Sequence, residues 1–513
     1  MSATSENTRP AAKGKRAHLP LEIEWEDEAP LTVHGHLTFL SKYLEAGGLF
    51  KRLVENCPMK FTSNNAPEVA DVLGTALLSI LSGHTRYNHA QELYGDTLAA
   101  ELLGIGRLVS HDSLRRAFGK MEGKDAKEWL QGEMSRCVGP LLSEPYVLDI
   151  DPTVKTLYGE QEGAEVGYNP KKPGRPSHCL HAFFIGSLRL VAGVELRPGN
   201  ETAGCYSHET LWRLLDGPLG GFHRPWLVRG DIGFGNNLTM EGCELRKLCY
   251  LFKLRQSQKV KASLDSLLKV EPSWHDAGAG WHGCETELRL QGWTQTRRVI
   301  ILRREAKHQK AARPAGGPLL LNGAEEQFLP LEILPPDQTP QYEWAALCTN
   351  LELPILSVSQ LYRDRGDCEN NFDELKNQWG WQGFTTQDAK RSEIMAMLIA
   401  LVANWWNVFC RLAEPERHLE AKTSRPLLQS LLGRLTSHGG KRQLHLAATG
   451  AAAVKVRALY EGISAFLDSL RSTAEQLTEE AKWAAILAHA FRMFLEGKRL
   501  PSVSDGAQLL LPV

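Results

Sequence analysis

Polar side chains between residues 362 and 376 have the types and the spacing of a phosphoryl-transfer site. Tyr362, Arg365, Glu369 and Lys376 follow one another at intervals of three, four and seven residues. On one continuous helix, which the sequence predicts from about Gln360 to Lys376, these four side chains share a sector of roughly 60°. A carboxylate between two cations can bind a metal ion while the cations bind phosphate oxygens. Taken alone, the spacing favours an amphipathic surface helix with salt bridges.

Two predicted strands carry further acids that can complete such a site. Asp149 and Asp151 lie two residues apart in the apolar run "YVLDIDPT" and therefore share one face of a strand. Asp231 follows the run "PWLV" and precedes the glycine-rich "GFGNN". A carboxylate in an apolar strand is costly to bury unless it is paired or bound to a metal. A cap or turn role is the simpler alternative for each aspartate, and for Asp149 we favour it.

Acids on two strands and one helix together form a ligand set for two divalent ions. One ion activates water or a 3′-hydroxyl, and the other stabilises the leaving oxygen of an in-line displacement. Hard cations prefer carboxylate oxygens, so we expect two Mg²⁺ ions, with Mn²⁺ able to substitute. Asp373 lies near the same helix face as Glu369 and is its rival as the helical ligand.

These motifs resemble those of a known family. The pattern Tyr-x2-Arg-x3-Glu-x6-Lys is similar to the Tyr-Arg-Glu-Lys signature of bacterial insertion-sequence transposases that have an RNase H-like DDE core. The segments "LDIDPT", "YGEQEGAEVGYNPKKPGRPSH" and "RGDIGFGN" resemble one branch of that group, and the resemblance runs from about Leu31 to Trp406. It implies metal-dependent cleavage at transposon ends and joining of those ends to target DNA, with or without a hairpin intermediate.

The resemblance also implies roles for individual residues. Asp151, Asp231 and Glu369 would be the catalytic metal ligands. Asp151 is preferred to Asp149 because the family pattern places the ligand two residues before a threonine, here Thr153. The residues implied to contact the DNA end are Tyr362, Arg365 and Lys376.

A basic loop follows the first acidic strand. "YNPKKPGRPSH" places Lys171, Lys172 and Arg175 on a stiff Pro/Gly-rich segment that can follow a phosphate backbone. Composition alone is equally compatible with an ordinary solvated loop, and the resemblance favours DNA binding. The implied partners are double-stranded DNA, as terminal inverted repeats and target, and a second copy in a homodimer on paired ends. No membrane partner is expected.

The elements around these motifs predict an α/β protein. We expect an RNase H-like mixed sheet core, interrupted by a β-rich insertion and flanked by helical N-terminal and C-terminal regions. "SHDSLRRAFGKM" is a basic helix in the first of these, compatible with DNA binding or with ordinary packing. The predicted divisions are a disordered tail (1–30), a helical DNA-binding domain (31–142), the first part of the core (143–255), the insertion (256–357), the second part of the core (358–410) and a helical C-terminal region (411–513).

Composition limits the class of protein. Fifty-nine basic residues against 60 acidic ones leave a net charge of −1, so no long-range positive field is expected. The ten cysteines are scattered singly without a CxxC pair, which favours reduced thiols over a zinc or redox motif. The apolar run Ile394–Trp406 is too short to span a bilayer and predicts a buried helix. We expect a cytoplasmic, nucleoid-associated bacterial protein.

Other classes of protein remain as alternatives or are excluded. A catalytically inactive, transposase-derived DNA-binding protein and another RNase H-like nuclease stay open. A tyrosine recombinase is excluded because no tyrosine follows His489 and Arg492. Trp281 and Trp293 of the predicted insertion could stack on an unpaired base, but cross-strand packing is the favoured interpretation.

Overall fold

The fold is described here from a computed structural model of the chain. It describes residues 30–143, 145–201, 203–270, 272–305, 342–429, 431–448, 453–473 and 477–495. The predicted disordered tail lies outside these residues, except for its last residue. So does the segment 306–341 within the predicted insertion.

The N-terminal region is helical, as the apolar spacing predicts. Gly48 takes a left-handed backbone conformation (φ 61°) where the first two helices meet. The side chain of Ser110 accepts a hydrogen bond from the Ser113 amide and so caps the basic helix α5. The elements are β1 (Leu31–Thr32), α1 (Leu37–Ala46), α2 (Leu49–Glu55), α3 (Val69–Leu81), α4 (Thr97–Leu103), α5 (His111–Gly119) and α6 (Gly123–Val138).

Among the described residues, the centre of the chain forms one mixed sheet of ten strands. Its strands are β2 (Val147–Thr156), β3 (Glu165–Val166), β4 (Pro176–Ile185), β5 (Leu190–Pro198), β6 (Leu227–Gly230), β7 (Cys249–Lys253), β8 (His275–Gly278), β9 (Trp281–Leu288), β10 (Arg297–Glu305) and β11 (Tyr342–Thr349). The helices between them are α7 (Ala203–Asp216), α8 (Asn237–Leu245) and α9 (Gln258–Leu268).

The strand order is that of an RNase H-like core. An antiparallel hairpin, β4 and β5, lies on one side of β2, whereas β6 and β7 follow on the other side, parallel to β2. The hairpin turns at Gly186–Leu188. Because β2, β6 and β7 run parallel, their carboxyl ends meet at one edge of the sheet, where open α/β sheets commonly bind ligands.

The described strands of the predicted insertion extend the core sheet instead of forming a sheet of their own. β11 pairs with β7, and β10, β9 and β8 follow in that order. β9 and β10 form an antiparallel hairpin on either side of Gly292. An unpaired β7 would expose a row of backbone donors and acceptors, and β11 satisfies them.

The chain after the sheet returns across both of its faces. Its elements are α10 (Ile355–Arg363), α11 (Gly366–Asn377), α12 (Ala389–Ala413), α13 (Ala421–Leu428), β12 (Leu432–His438), β13 (Lys441–Ala447), α14 (Ala453–Thr473), α15 (Glu479–Ala490) and α16 (Arg492–Leu495). The C-terminal region, predicted as mostly helical, also contains the hairpin of β12 and β13. β12 pairs with β1, which links the two ends of the described chain.

The single helix predicted from Gln360 to Lys376 is wrong, because the chain turns between α10 and α11. In a continuous helix the Leu361 carbonyl would accept from the Arg365 amide. Instead the guanidinium of Arg229 binds that carbonyl, and the Arg365 amide donates to Tyr362 at 3.1 Å. A tertiary hydrogen bond therefore ends the first helix and redirects the second.

The helix α12 is the main core element of the C-terminal half. Among the described residues it alone is long and apolar enough to span a membrane, with a mean hydropathy of 1.5, but 94% of that apolar window is buried in the protein. This agrees with the buried helix predicted for Ile394–Trp406. Asn404 on α12 binds both backbone groups of Val191 on β5, at 2.8 Å each. The pairing of β4 and β5 is irregular at this point, so the asparagine takes the place of a strand partner.

Replacing Asn404 tests this anchor. Asn404→Leu leaves the Val191 amide and carbonyl buried without partners, so the free energy of unfolding should fall by about 2–4 kcal/mol. Chemical denaturation measures it, with the exposed Asn64→Leu as the matched control, which should change stability by less than about 0.5 kcal/mol. Equal losses in the two variants would contradict the role of Asn404.

Candidate active site at the carboxyl edge of the sheet

Three parallel strands bring the two strand acids to the same edge. Ile150, Gly230 and Phe252 form the last aligned row across β2, β6 and β7. The next residues along the chain are Asp151 on β2, Asp231 directly after β6, and Lys253 on β7. The registry thus brings the two predicted aspartates to the same edge of the sheet, on neighbouring elements.

Arg365 joins the helix acid to the strand acid. Its Nη1 donates to Oδ2 of Asp151 at 2.7 Å, and its Nη2 lies 3.1 Å from Oε1 of Glu369. Arg365 is buried, whereas about 44% of the Glu369 side chain is exposed, so the cluster opens to solvent on the Glu369 side. The guanidinium lies 5.8 Å from the ring centre of the buried Tyr362. The turn between α10 and α11 therefore holds Glu369 over the sheet edge.

Electrostatics also shows that the three acids form one cluster. Burial raises the pKa of Asp151 to about 7, Arg365 opposes this shift, and the charges of Asp231 and Glu369 reinforce it. A carboxylate resists ionisation when other carboxylates lie close by.

A buried ion pair lies directly beneath the acids. Asp149, two residues before Asp151, pairs in register with Arg229, two residues before Asp231. The contact is bidentate, at 2.5 Å and 2.8 Å, and both side chains are buried. Arg229 also binds the Leu361 carbonyl. Both oxygens of Asp149 are thus occupied, so its role is structural, but it is that of a mid-strand ion pair and not the cap or turn role favoured from the sequence.

The loop cations predicted to contact DNA lie away from this cluster. On α11, the rival ligand Asp373 is exposed and accepts a hydrogen bond from Asn377, and the Lys376 ammonium lies 5.8 Å from the Phe372 ring. Lys171, Lys172 and Arg175 are exposed on the loop before β4. That loop adjoins Thr156, five residues beyond Asp151 on β2, or about 16 Å along the strand. The structure therefore does not bring the loop cations to the acids.

The two insertion tryptophans are buried. Trp281 is 2% and Trp293 8% exposed, and Arg304 and Arg297 stack on them at 4.7 Å and 5.2 Å. This favours the packing interpretation.

Neither Arg229 nor Lys253 is predicted as a site residue from the sequence. Burial lowers the pKa of Lys253 to about 8, Arg365 lowers it further, and Asp231 and Glu369 oppose the shift. The sequence contains one indication of Lys253, which is its position at the end of the strand that follows Asp231. A lysine after an apolar run has many structural explanations, so only the strand order gives it meaning.

Within the residues that the structure describes, no three His, Cys, Asp or Glu side chains stand ready to hold a metal ion. The guanidinium of Arg365 binds one oxygen each of Asp151 and Glu369. The donors themselves are carboxylate oxygens, which suit a hard divalent cation. A cation that displaced the guanidinium would meet a fitting set of ligands.

A cluster of acids at the carboxyl edge of an RNase H-like sheet, with one acid supplied from a helix, is typical of enzymes that act on the phosphodiester bonds of nucleic acids. The family model described as "Transposase DDE domain group 1" matches residues 30–467. The chain therefore belongs to this family and is a DNA transposase, and its partner is DNA. Transposases of this family generally use divalent metal ions.

Comparison with solved structures finds the piggyBac transposase in a synaptic complex with hairpin DNA, solved by cryo-electron microscopy. The sequence identity is 11%, the match covers 92% of this chain and 87% of that one, and the TM-score is 0.37. No curated protein sequence matches the chain. The assignment consequently depends on the family model and on the fold and site described above.

The buried pair beneath the site can be tested by a double-mutant cycle. Arg229→Met leaves Asp149 as an unpaired buried charge and should lower the free energy of unfolding by about 3–5 kcal/mol. Adding Asp149→Leu removes that charge and should restore part of the loss. Urea denaturation measures each variant. A double variant as unstable as the sum of the two single variants would contradict the pairing.

The raised pKa of Asp151 predicts a pH dependence of stability in metal-free protein. Its pKa is about 7 in the folded state against 3.8 ordinarily, so the folded state binds the proton more tightly. This contribution to stability is complete below pH 3.8 and is lost as the pH rises through about 7. The free energy of unfolding of the wild type should therefore fall relative to Asp151→Asn across that range. A difference between the two proteins that does not vary with pH would contradict the shift.

Proposed function

We propose that this transposase cleaves the ends of its transposon and joins them to target DNA with Asp151, Asp231 and Glu369 as catalytic ligands for two divalent ions. Mg²⁺ is the proposed ion, and Mn²⁺ can replace it. The observation that carries the proposal is the meeting of these three acids, from β2, β6 and α11, at one solvent-accessible edge. The bound ions would activate the attacking hydroxyl and stabilise the leaving oxygen.

Burial and mutual repulsion prepare the acids for cations. Asp151 is buried and hard to ionise beside Asp231 and Glu369. The cation that now compensates them is Arg365. If bound metal ions neutralised the carboxylates, the two donors of the planar Arg365 guanidinium would be available for two phosphate oxygens.

Of the remaining predicted contacts, the loop cations are exposed and can bind backbone phosphates. Tyr362 is buried, with its ring centre 5.8 Å from the Arg365 guanidinium, so we propose that it acts on the DNA end through Arg365. We further propose that Lys376 and the loop track the DNA end beyond the cleavage site. The loop residues are Lys171, Lys172 and Arg175.

The helical region 31–142 is proposed as a second DNA-binding surface. Arg115 and Arg116 are exposed on the capped helix α5, where a basic helix can meet a phosphate backbone or a groove. Two copies are proposed to act together on paired ends, in the cytoplasm and on the nucleoid of a bacterium.

Removing a ligand charge tests the proposed site. Asp231→Asn or Glu369→Gln should reduce cleavage of duplexes taken from the two ends of the element by at least about 1,000-fold, because each change removes an anionic ligand. Binding of the same duplexes should stay near the wild-type level. Cleavage with Mg²⁺, with Mn²⁺ and with a chelator, together with a gel-shift titration, measures both quantities.

Asp373→Asn is the matched control, since Asp373 lies one turn beyond Glu369 and is exposed. It should cleave like the wild type. Cleavage by Glu369→Gln at the wild-type rate would overturn the site. A wild-type protein that binds the ends but cuts them with neither ion would support the alternative of an inactive, transposase-derived DNA-binding protein.

A further inference from the structure

Lys253 continues the row of catalytic acids on the third parallel strand. The rows Asp149–Arg229–Leu251 and Ile150–Gly230–Phe252 are paired across β2, β6 and β7. Residues that share a row of a parallel sheet point to the same face. Lys253 therefore follows Asp151 and Asp231 on one face, with Asp231 in the middle of the row.

The end of β7 is held firmly against the loop that carries Asp231. A Cβ atom at Gly235 would lie 2.5 Å from the Lys253 carbonyl oxygen, so only glycine permits this close approach. Asp231 itself accepts from the Gly233 amide at 2.9 Å. The glycine-rich loop thus fixes Lys253 relative to Asp231.

A buried ammonium at this position needs a reason, because its desolvation is costly. Lys253 is 6% exposed, and the charges of Asp231, Glu369 and Arg365 act on its ammonium. Lys155, farther along β2, is also buried, and it donates to the Gly383 carbonyl at 2.5 Å and ties the sheet to a loop. Of these two lysines, Lys253 is the one that lies beside the proposed ligands.

We propose that Lys253 is a further catalytic residue, whose ammonium binds a non-bridging oxygen of the scissile phosphodiester on the side of Asp231 away from Asp151. The proposal rests on the proposed function. In cleavage the oxygen of water bonds to phosphorus and the bond from phosphorus to the 3′-oxygen breaks. The water proton passes to solvent, and the 3′-oxygen takes a proton from solvent. Lys253 keeps its protons and stabilises the charge that grows on the phosphoryl oxygens.

Single-turnover cleavage of duplexes from the element ends tests this role. Lys253→Met keeps the length of the side chain but removes the charge, and should slow the chemical step about 100-fold at saturating DNA. Lys253→Arg should retain the rate within about 10-fold, since it keeps a donor cation. Lys155→Met, the matched control, should lower the melting temperature while leaving the single-turnover rate of the folded protein unchanged.

Substituting sulfur for each non-bridging oxygen of the scissile phosphate separates a direct contact from a structural one. The penalty of Lys253→Met should shrink for one diastereomer alone, because only one oxygen meets the ammonium. An equal penalty for both diastereomers, or a Lys253→Met rate equal to that of Lys155→Met, would overturn the proposal. The two proposals can be refuted separately. Cleavage by Asp231→Asn at the wild-type rate would refute the proposed function. If Asp231→Asn is inactive but Lys253→Met cleaves at the wild-type rate, only the proposal for Lys253 is refuted.

Discussion

The buried pair of Asp149 and Arg229 is the contact on which the site depends. Asp149 lies two residues before the proposed ligand Asp151, and Arg229 lies two residues before the proposed ligand Asp231. The same guanidinium binds the carbonyl of Leu361, at the end of α10. Transferring a charge from water into the protein interior is costly, so the pair is stable only when β2, β6 and the end of α10 are all in place. Formation of this contact therefore requires the two strands and the helix turn to be aligned.

Above that pair, several charged side chains lie close together. Three carboxylates are compensated by the guanidinium of Arg365 and the ammonium of Lys253, which leaves one net negative charge. Burial and the nearby charges of Asp231 and Glu369 make Asp151 hard to ionise. Arg365 is the partner of Asp151 and Glu369 in the structure, and its proposed role once metal and DNA are bound is to bind phosphate.

The rest of the fold keeps this edge open and rigid. The β-rich stretch between Asp231 and Glu369 continues the core sheet through β11, so it braces the end of β7 where Lys253 lies. On the other side, α12 grips β5 through Asn404. Both contacts satisfy backbone groups that would otherwise be buried without hydrogen-bond partners.

Local patterns in the sequence determined much of this protein. Alternating and apolar runs predicted the strands and the buried helix, and motif order indicated Asp151, Asp231 and Glu369 together with the family. Helix periodicity could not predict the turn at Arg365, because a hydrogen bond from the distant Arg229 ends α10. It could not single out Lys253 either, since strand order alone places that lysine beside Asp231. Spacing along the chain reports local geometry, whereas buried charges acquire their roles from neighbours that only the tertiary structure supplies.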